Sequence, residues 1–138
     1  MLYLTYGLIV WGQASKTHLT KLLLLQKNVL RFIFFAKRNV HVIPLFIDAN
    51  ILPISFLYFK SVSYLMHDIH INTAPTTIVN LFSQTSSIHA YNTRSSSKTN
   101  MYIKKFNLKK LRQVVPIFGA KLWNEIPGRM REVSKKNI

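Results

Sequence analysis

In MYIKKFNLKKLRQ, Met101 to Gln113, basic residues alternate with single apolar ones: Lys104, Lys105, Lys109, Lys110 and Arg112 separate Ile103, Phe106, Leu108 and Leu111. That pattern suits single-stranded nucleic acid, where Lys and Arg follow the phosphates and rings stack on bases. Taken singly, each residue also fits a solvated amphipathic strand or helix. An acidic protein surface or a layer of anionic lipid headgroups would attract the whole cluster too. Among the histidines, His67 and His70 are three apart and can share a helix face, but two imidazoles with only Asp68 between them do not make a metal site. The acids Asp48, Asp68, Glu125 and Glu132 are scattered, so the paired carboxylates of two-metal or acid and base catalysis are missing. Cysteine is absent, which removes disulfides, thiolate catalysis and cysteine zinc sites together. The four glycines form no phosphate loop, dinucleotide fingerprint or nucleophile elbow. No metal and no cofactor is expected, and the composition points away from an enzyme.

Charge points to the partner. The 19 Lys and Arg against 4 Asp and Glu leave +15, which repels itself and attracts polyanions by counterion release. RNA, DNA or an anionic membrane would meet it. Of the 19 basic residues, 12 lie between Arg94 and Lys136, interleaved with Tyr102, Phe106, Phe118 and Trp123, so the charge is asymmetric. The apolar runs Tyr6 to Trp11 and Phe32 to Ala36 fall short of the roughly 20 residues that cross a bilayer. The opening also lacks the basic residues that precede the apolar core of a signal peptide, so it reads as a buried segment.

The elements that must position these residues are helical. A length of 138 residues suits one ordinary domain, and 49 % hydrophobic residues are enough for a packed core. Leu19, Leu22, Leu25, Val29, Phe32 and Ile33 recur at spacings of three and four, predicting a helix over Ser15 to Asn39 with Ser15 or Thr17 at its start. Lys16, Lys21, Lys27, Arg31, Lys37 and Arg38 fall largely off that face, either as a phosphate-touching edge or as an ordinary solvated one. Pro44 and Pro53 bracket a turn or short helical piece near Asp48 to Asn50, whose apolar residues should pack under the helices. A second helix is predicted from Ile54 to about Ile71, and a third, short one follows Thr73 and Pro75 and ends near Phe82. Ser83 to Asn100 is rich in Ser, Thr and Asn, which favour local side-chain bonds over helix or sheet. Near the end, Gly119 reads as a backbone turn, Trp123 as a core anchor, and Pro127 with Gly128 as the stop of a short helix. The expected fold is mainly α: a small irregular helical cluster over residues 1–82, a polar linker over 83–100, and a basic C-terminal segment with a short helix over 101–138.

Three of these stretches, in order, resemble one family. YGLIVWGQASKTHLTKLLLLQKNVLR, Tyr6 to Arg31, is similar to a Y-G-x-x-x-W-G pattern followed by a helix with a Leu-Gln-Lys core near the end of a polymerase thumb. HAYNTR, His89 to Arg94, is like H-x-Y-N-T-R, and FGAKLWNEIP, Phe118 to Pro127, is similar to G-P-x-x-W-N-x-x-P. With their spacing, they resemble the C-terminal thumb and post-polymerase region of reverse transcriptases from jockey-like LINE retrotransposons, which are non-LTR elements. The resemblance spans nearly all of the chain from Tyr6 onward. Ala120 departs from it, standing where the family usually has proline.

The resemblance implies an RNA-directed DNA polymerase as parent, with its catalytic aspartates in fingers and palm. This sequence carries no paired aspartates and stops shortly after the third stretch, so it is expected to be a truncated or decayed fragment that cannot polymerise DNA. It would act inside the cell, in nucleus or cytoplasm, with RNA or DNA backbone as partner and no small-molecule substrate. Its contacts would be Lys27, Arg31, Arg94, Lys104, Lys105, Lys109, Lys110 and Arg112, with Arg94 foremost in the second stretch. Apolar surface such as Tyr6 to Trp11, which a palm would cover, predicts aggregation or a molten state when the chain is alone. The rival expectations are a small basic protein lying on a membrane surface and a translated pseudogene product with no selected role.

Overall fold

The periodicities read above become helices. The computed structural model describes Thr5 and residues 7–88, 100–105 and 114–131; among these, 65 % are helical and no strand forms beyond one isolated antiparallel bridge. The class is mainly α, as expected. Eight helices are described: α1 (Leu8–Trp11), α2 (Lys16–Ile33), α3 (Val42–Asp48), α4 (Ile54–His70), α5 (Thr76–Val79), α6 (Thr85–Ile88), α7 (Val115–Glu125) and α8 (Gly128–Arg131). The chain divides into two compact units, Met1–Ser61 and Val62–Ile138, so the division falls inside α4.

In the first unit, α2 buries Gln26 and Leu30. Leu30 joins Val42, Leu45 and Phe46 of α3 in a core, with Leu23, Ala36, Ala49 and Ile51 packed around it. Pro44 sits in the first turn of α3, where a missing N–H costs no helical bond. Gln26 ties the unit together: its Nε2 donates to Leu52 O at 3.0 Å, and its Oε1 accepts from Ile54 N–H at 3.1 Å, satisfying a donor that the start of α4 leaves open. Gly7 leads into α1 at φ 62, a left-handed conformation that glycine adopts without steric cost. Gly12 is buried under the Tyr58 ring, and a Cβ there would clash with that ring and with Leu8 O. The opposite side of α2 stays open, with Leu25, Val29 and Phe32 60 %, 55 % and 80 % exposed.

Three helices end alike. After α2, Phe35 takes φ 49; its N–H donates to Phe32 O at 3.2 Å, and that of Ala36 donates to Arg31 O at 2.9 Å. Asn50 after α3 and Asn72 after α4 do the same at φ 51 and 57, with Ile51 N–H donating to Phe46 O and Thr73 N–H to Asp68 O. Each is a left-handed residue closing the last turn with a pair of reversed bonds. This is why α2 stops at Ile33 and not at Asn39: the stop is held by a phenylalanine, which carries no stop signal in sequence. At the start, Ser15 stands in the capping position, but its hydroxyl pairs with His18 Nδ1 at 2.7 Å and not with a backbone N–H.

In the second unit, Val62, Met66 and Ile69 of α4 form a buried stripe. Gly119 corrects the expectation of a turn, since it lies inside α7. There, an added Cβ would stand 2.8 Å from Met66 Sδ and 3.5 Å from Val62 Cγ1, so the missing side chain lets α7 approach α4 closely. Trp123 is 1 % exposed, the core anchor its type predicts, with His70 tilted against it at 5.1 Å. Ala120 is fully buried. The two ends of the polar stretch belong together: Gln84 bridges Met101, Thr85 N–H donates to Asn100 O at 3.0 Å, and Tyr102 N–H donates to Ser83 O at 2.8 Å. Backbone pairing puts both flanks of this stretch in the second unit.

Candidate nucleic-acid interface

Lys27 and Arg31 are one helical turn apart on α2, so they leave the same edge about 5–6 Å apart. Both are half-buried and line a cleft of about 460 Å³ in the first unit. The neighbouring Gln26 holds that edge in register with the start of α4, from which Ser55 and Phe56 reach the same cleft. Asn39 and His41 line it from the loop between α2 and α3. Arg31 Nη2 donates to Val40 O at 3.4 Å, steering the guanidinium across that loop. Its Nε is buried and has no protein acceptor, although a buried charged donor ordinarily finds one. No Asp or Glu lines the cleft, so its field is uniformly suited to anions.

A second, apolar groove of about 590 Å³ adjoins it, and the two share Ile43, Phe46, Pro53 and Phe56. Phe46 is 7 % exposed and forms a floor, whereas Phe56 is 59 % exposed and presents its ring to solvent. Sequence reasoning singled out Lys27 and Arg31 but missed Asn39, His41, Ser55 and Phe56. Their approach depends on a loop and on a helix start about 25 positions away, which no local spacing encodes.

In the second unit, Lys104 and Lys105 are exposed just after the segment pinned by Met101 and Tyr102. The remaining expected contacts, Arg94, Lys109, Lys110 and Arg112, lie outside the described residues, as do His89 to Ala90, Tyr91 to Thr93 and the basic run from Phe106. Arg131, which the charge count included in a phosphate-seeking tail, is 5 % exposed and otherwise engaged. It donates from Nε to Ile126 O at 2.9 Å, from Nη1 to Asn100 Oδ1 at 3.0 Å and from Nη2 to Asn124 O at 3.1 Å, and its guanidinium lies 5.5 Å from the Trp123 ring centre. Burial pulls its pKa below the ordinary guanidinium value, yet the group keeps its charge in a protein. Asn124 completes this clasp by pairing its amide with the backbone of one residue: Met101 N–H donates to Oδ1 at 2.8 Å, and Nδ2 donates to Met101 O at 2.9 Å.

His67 is buried and His70 packs on Trp123, and among the described residues no three metal-ligating side chains gather. Among these residues, no helix is long and apolar enough to cross a membrane. Set against protein-family models, curated proteins and solved structures, the chain matches none of them.

Proposed function

We propose that the chain is a stretch of the C-terminal thumb and post-polymerase region of a jockey-like LINE reverse transcriptase, and that it grips RNA or DNA by the backbone without catalysing polymerisation. One observation carries the reading: the three patterns at Tyr6 to Arg31, His89 to Arg94 and Phe118 to Pro127 occur in the family's order and spacing. The net charge of +15 and the acid-free cleft holding Lys27 and Arg31 support a polyanionic partner. Backbone contacts of this kind position a strand without reading its sequence.

The binding is tested by fluorescence anisotropy of labelled RNA and DNA across a salt series. If all eight expected cations contacted single-strand phosphates, the slope of log affinity against log salt would be roughly −5 to −6. No binding at low salt, or binding indifferent to salt, would refute a backbone grip. Descent is tested separately in the DNA upstream of the Met1 codon. A reading frame there with paired palm aspartates supports it, and unrelated sequence refutes it.

A second reading, a protein lying on an anionic membrane surface, has one feature in its favour. Phe32 and Phe35, 80 % and 93 % exposed, stand beside the exposed Lys37 and Arg38, and apolar side chains ringed by cations suit a headgroup layer. Flotation on anionic vesicles without nucleic-acid binding would favour it.

A further inference from the structure

We infer that the cleft and groove on either side of Phe56 form a site for an unpaired nucleotide: the phosphate seats between Lys27 and Arg31, and the base lies against the Phe56 ring. The inference rests on the nucleic-acid reading and narrows it from backbone in general to single strands. The basic side supplies a lysine, an arginine with a buried, unpaired Nε, the polar side chains of Asn39, His41 and Ser55, and no carboxylate. The apolar side begins at a phenylalanine ring that is more than half exposed and shared by both recesses. Phosphate on cations beside a base on a ring is how single strands are held without sequence preference. At about 460 and 590 Å³, each recess falls within the size range of small-ligand clefts, roughly 300–1,000 Å³.

The shape decides between a nucleotide and a lipid. Both recesses are open to solvent, so any occupant keeps one side in water. A base has polar edges that water can satisfy, whereas an alkyl chain would leave much of its apolar surface wet. A base pair stacked in a duplex has no free face to offer Phe56, so duplex would reach Lys27 and Arg31 only.

The test uses the full chain with labelled oligo(dT) and a hairpin duplex of equal charge, comparing Phe56→Ala, Phe56→Tyr and the double variant Lys27→Gln/Arg31→Gln. Loss of one stacked base weakens oligo(dT) about 5- to 150-fold. Phe56→Ala should therefore weaken oligo(dT) by at least that lower factor relative to its effect on the hairpin, with Phe56→Tyr restoring affinity. The double variant should weaken both and reduce the single-strand salt slope by about 1.4. Circular dichroism of each variant shows whether the helices persist, and the tyrosine variant separates loss of the ring from loss of the fold.

If the wild-type chain binds neither oligonucleotide, the nucleic-acid reading falls and takes this inference with it. If it binds both and Phe56→Ala changes neither, or changes both equally, the inference alone falls. If the variants abolish flotation on phosphatidylserine vesicles while oligo(dT) affinity is unchanged, the occupant is lipid and the inference is overturned.

Discussion

Replacing Asn124 by Ala tests the clasp of the second unit most directly. Its amide makes two bonds to the backbone of Met101, at 2.8 and 2.9 Å, and Met101 is 4 % exposed, so water cannot readily take over. Each neutral bond contributes roughly 0.5–1.5 kcal/mol net, and an abandoned buried donor or acceptor costs roughly 1–3 kcal/mol. Truncation should cost about 2–4 kcal/mol of local stability, which is about a 30- to 1,000-fold faster exchange of the Met101 amide hydrogen. Hydrogen exchange is the right assay because it reports opening at that peptide whether or not the whole chain unfolds cooperatively. Asn124→Asp sharpens the test. It keeps an acceptor for Met101 N–H but turns an oxygen toward Met101 O, so the neutral acid is favoured and the folded-state pKa rises above the unfolded value near 3.9. The deficit against wild type should be full at pH 7 and shrink as pH falls through that raised pKa, when the carboxyl can donate again. Unchanged Met101 exchange in Asn124→Ala would refute the clasp. An Asp deficit that is the same at pH 4 and pH 7, each against wild type at that pH, would refute the donor assignment.

Other expectations follow from the same geometry. Phe35 is 93 % exposed and holds φ 49, so Phe35→Gly loses little packing and should raise the thermal midpoint by relieving roughly 1–2 kcal/mol of left-handed strain. A lowered midpoint would show that the exposed ring packs on something. Gly12→Ala forces a methyl against Tyr58 and Leu8 O and should destabilise the first unit by roughly 1–3 kcal/mol, read by exchange of the α1 and α2 amides. Burial raises the pKa of Tyr58 above 10.0; its stabilising contribution is full below the unfolded value and lost as pH rises through the folded one. Alkaline titration followed by circular dichroism should therefore show a loss beginning near pH 10 that is smaller in Tyr58→Phe.

Where sequence and structure agree, a local signal was sufficient. The apolar spacing placed α4 at Ile54 to about Ile71 against Ile54–His70, and asparagine, tolerant of left-handed φ, ends that helix at Asn72. Local signals failed where a residue does another type's work. Phe35 holds a position that glycine or asparagine usually fills, so α2 ran too long on paper. Gly119 looked like a turn because glycine often makes one, whereas here its missing Cβ serves close packing against Met66. The site shows the same division. Lys27 and Arg31 were legible because basic residues four apart share a helix edge. His41 and Phe56 were not, because only the folded loop and the start of α4 bring them to that edge. Arg131 shows the limit of counting charge: a cation buried over Trp123 and bonded to two carbonyls and an amide is spent on the fold and unavailable to a phosphate.

The described residues that carry the family resemblance are of this structural kind. Gly7 needs left-handed φ, Gly12 lies under Tyr58, Gln26 bridges Leu52 and Ile54, Trp123 fills the core and Asn124 clamps Met101. In each unit a carboxamide thus donates to and accepts from a distant backbone, the buried Gln26 in the first and the half-buried Asn124 in the second. Residues of this kind serve the fold, and ligand contacts fall to the cations beside them. The two kinds of residue must therefore respond differently. Variants at Gln26 or Asn124 should lose amide protection first and binding only as a consequence, whereas Lys27→Gln/Arg31→Gln should weaken binding and its salt dependence with protection intact. Loss of binding in a Gln26 variant is thus no sign of contact, and only the lysine and arginine pair can show that the α2 edge touches nucleic acid.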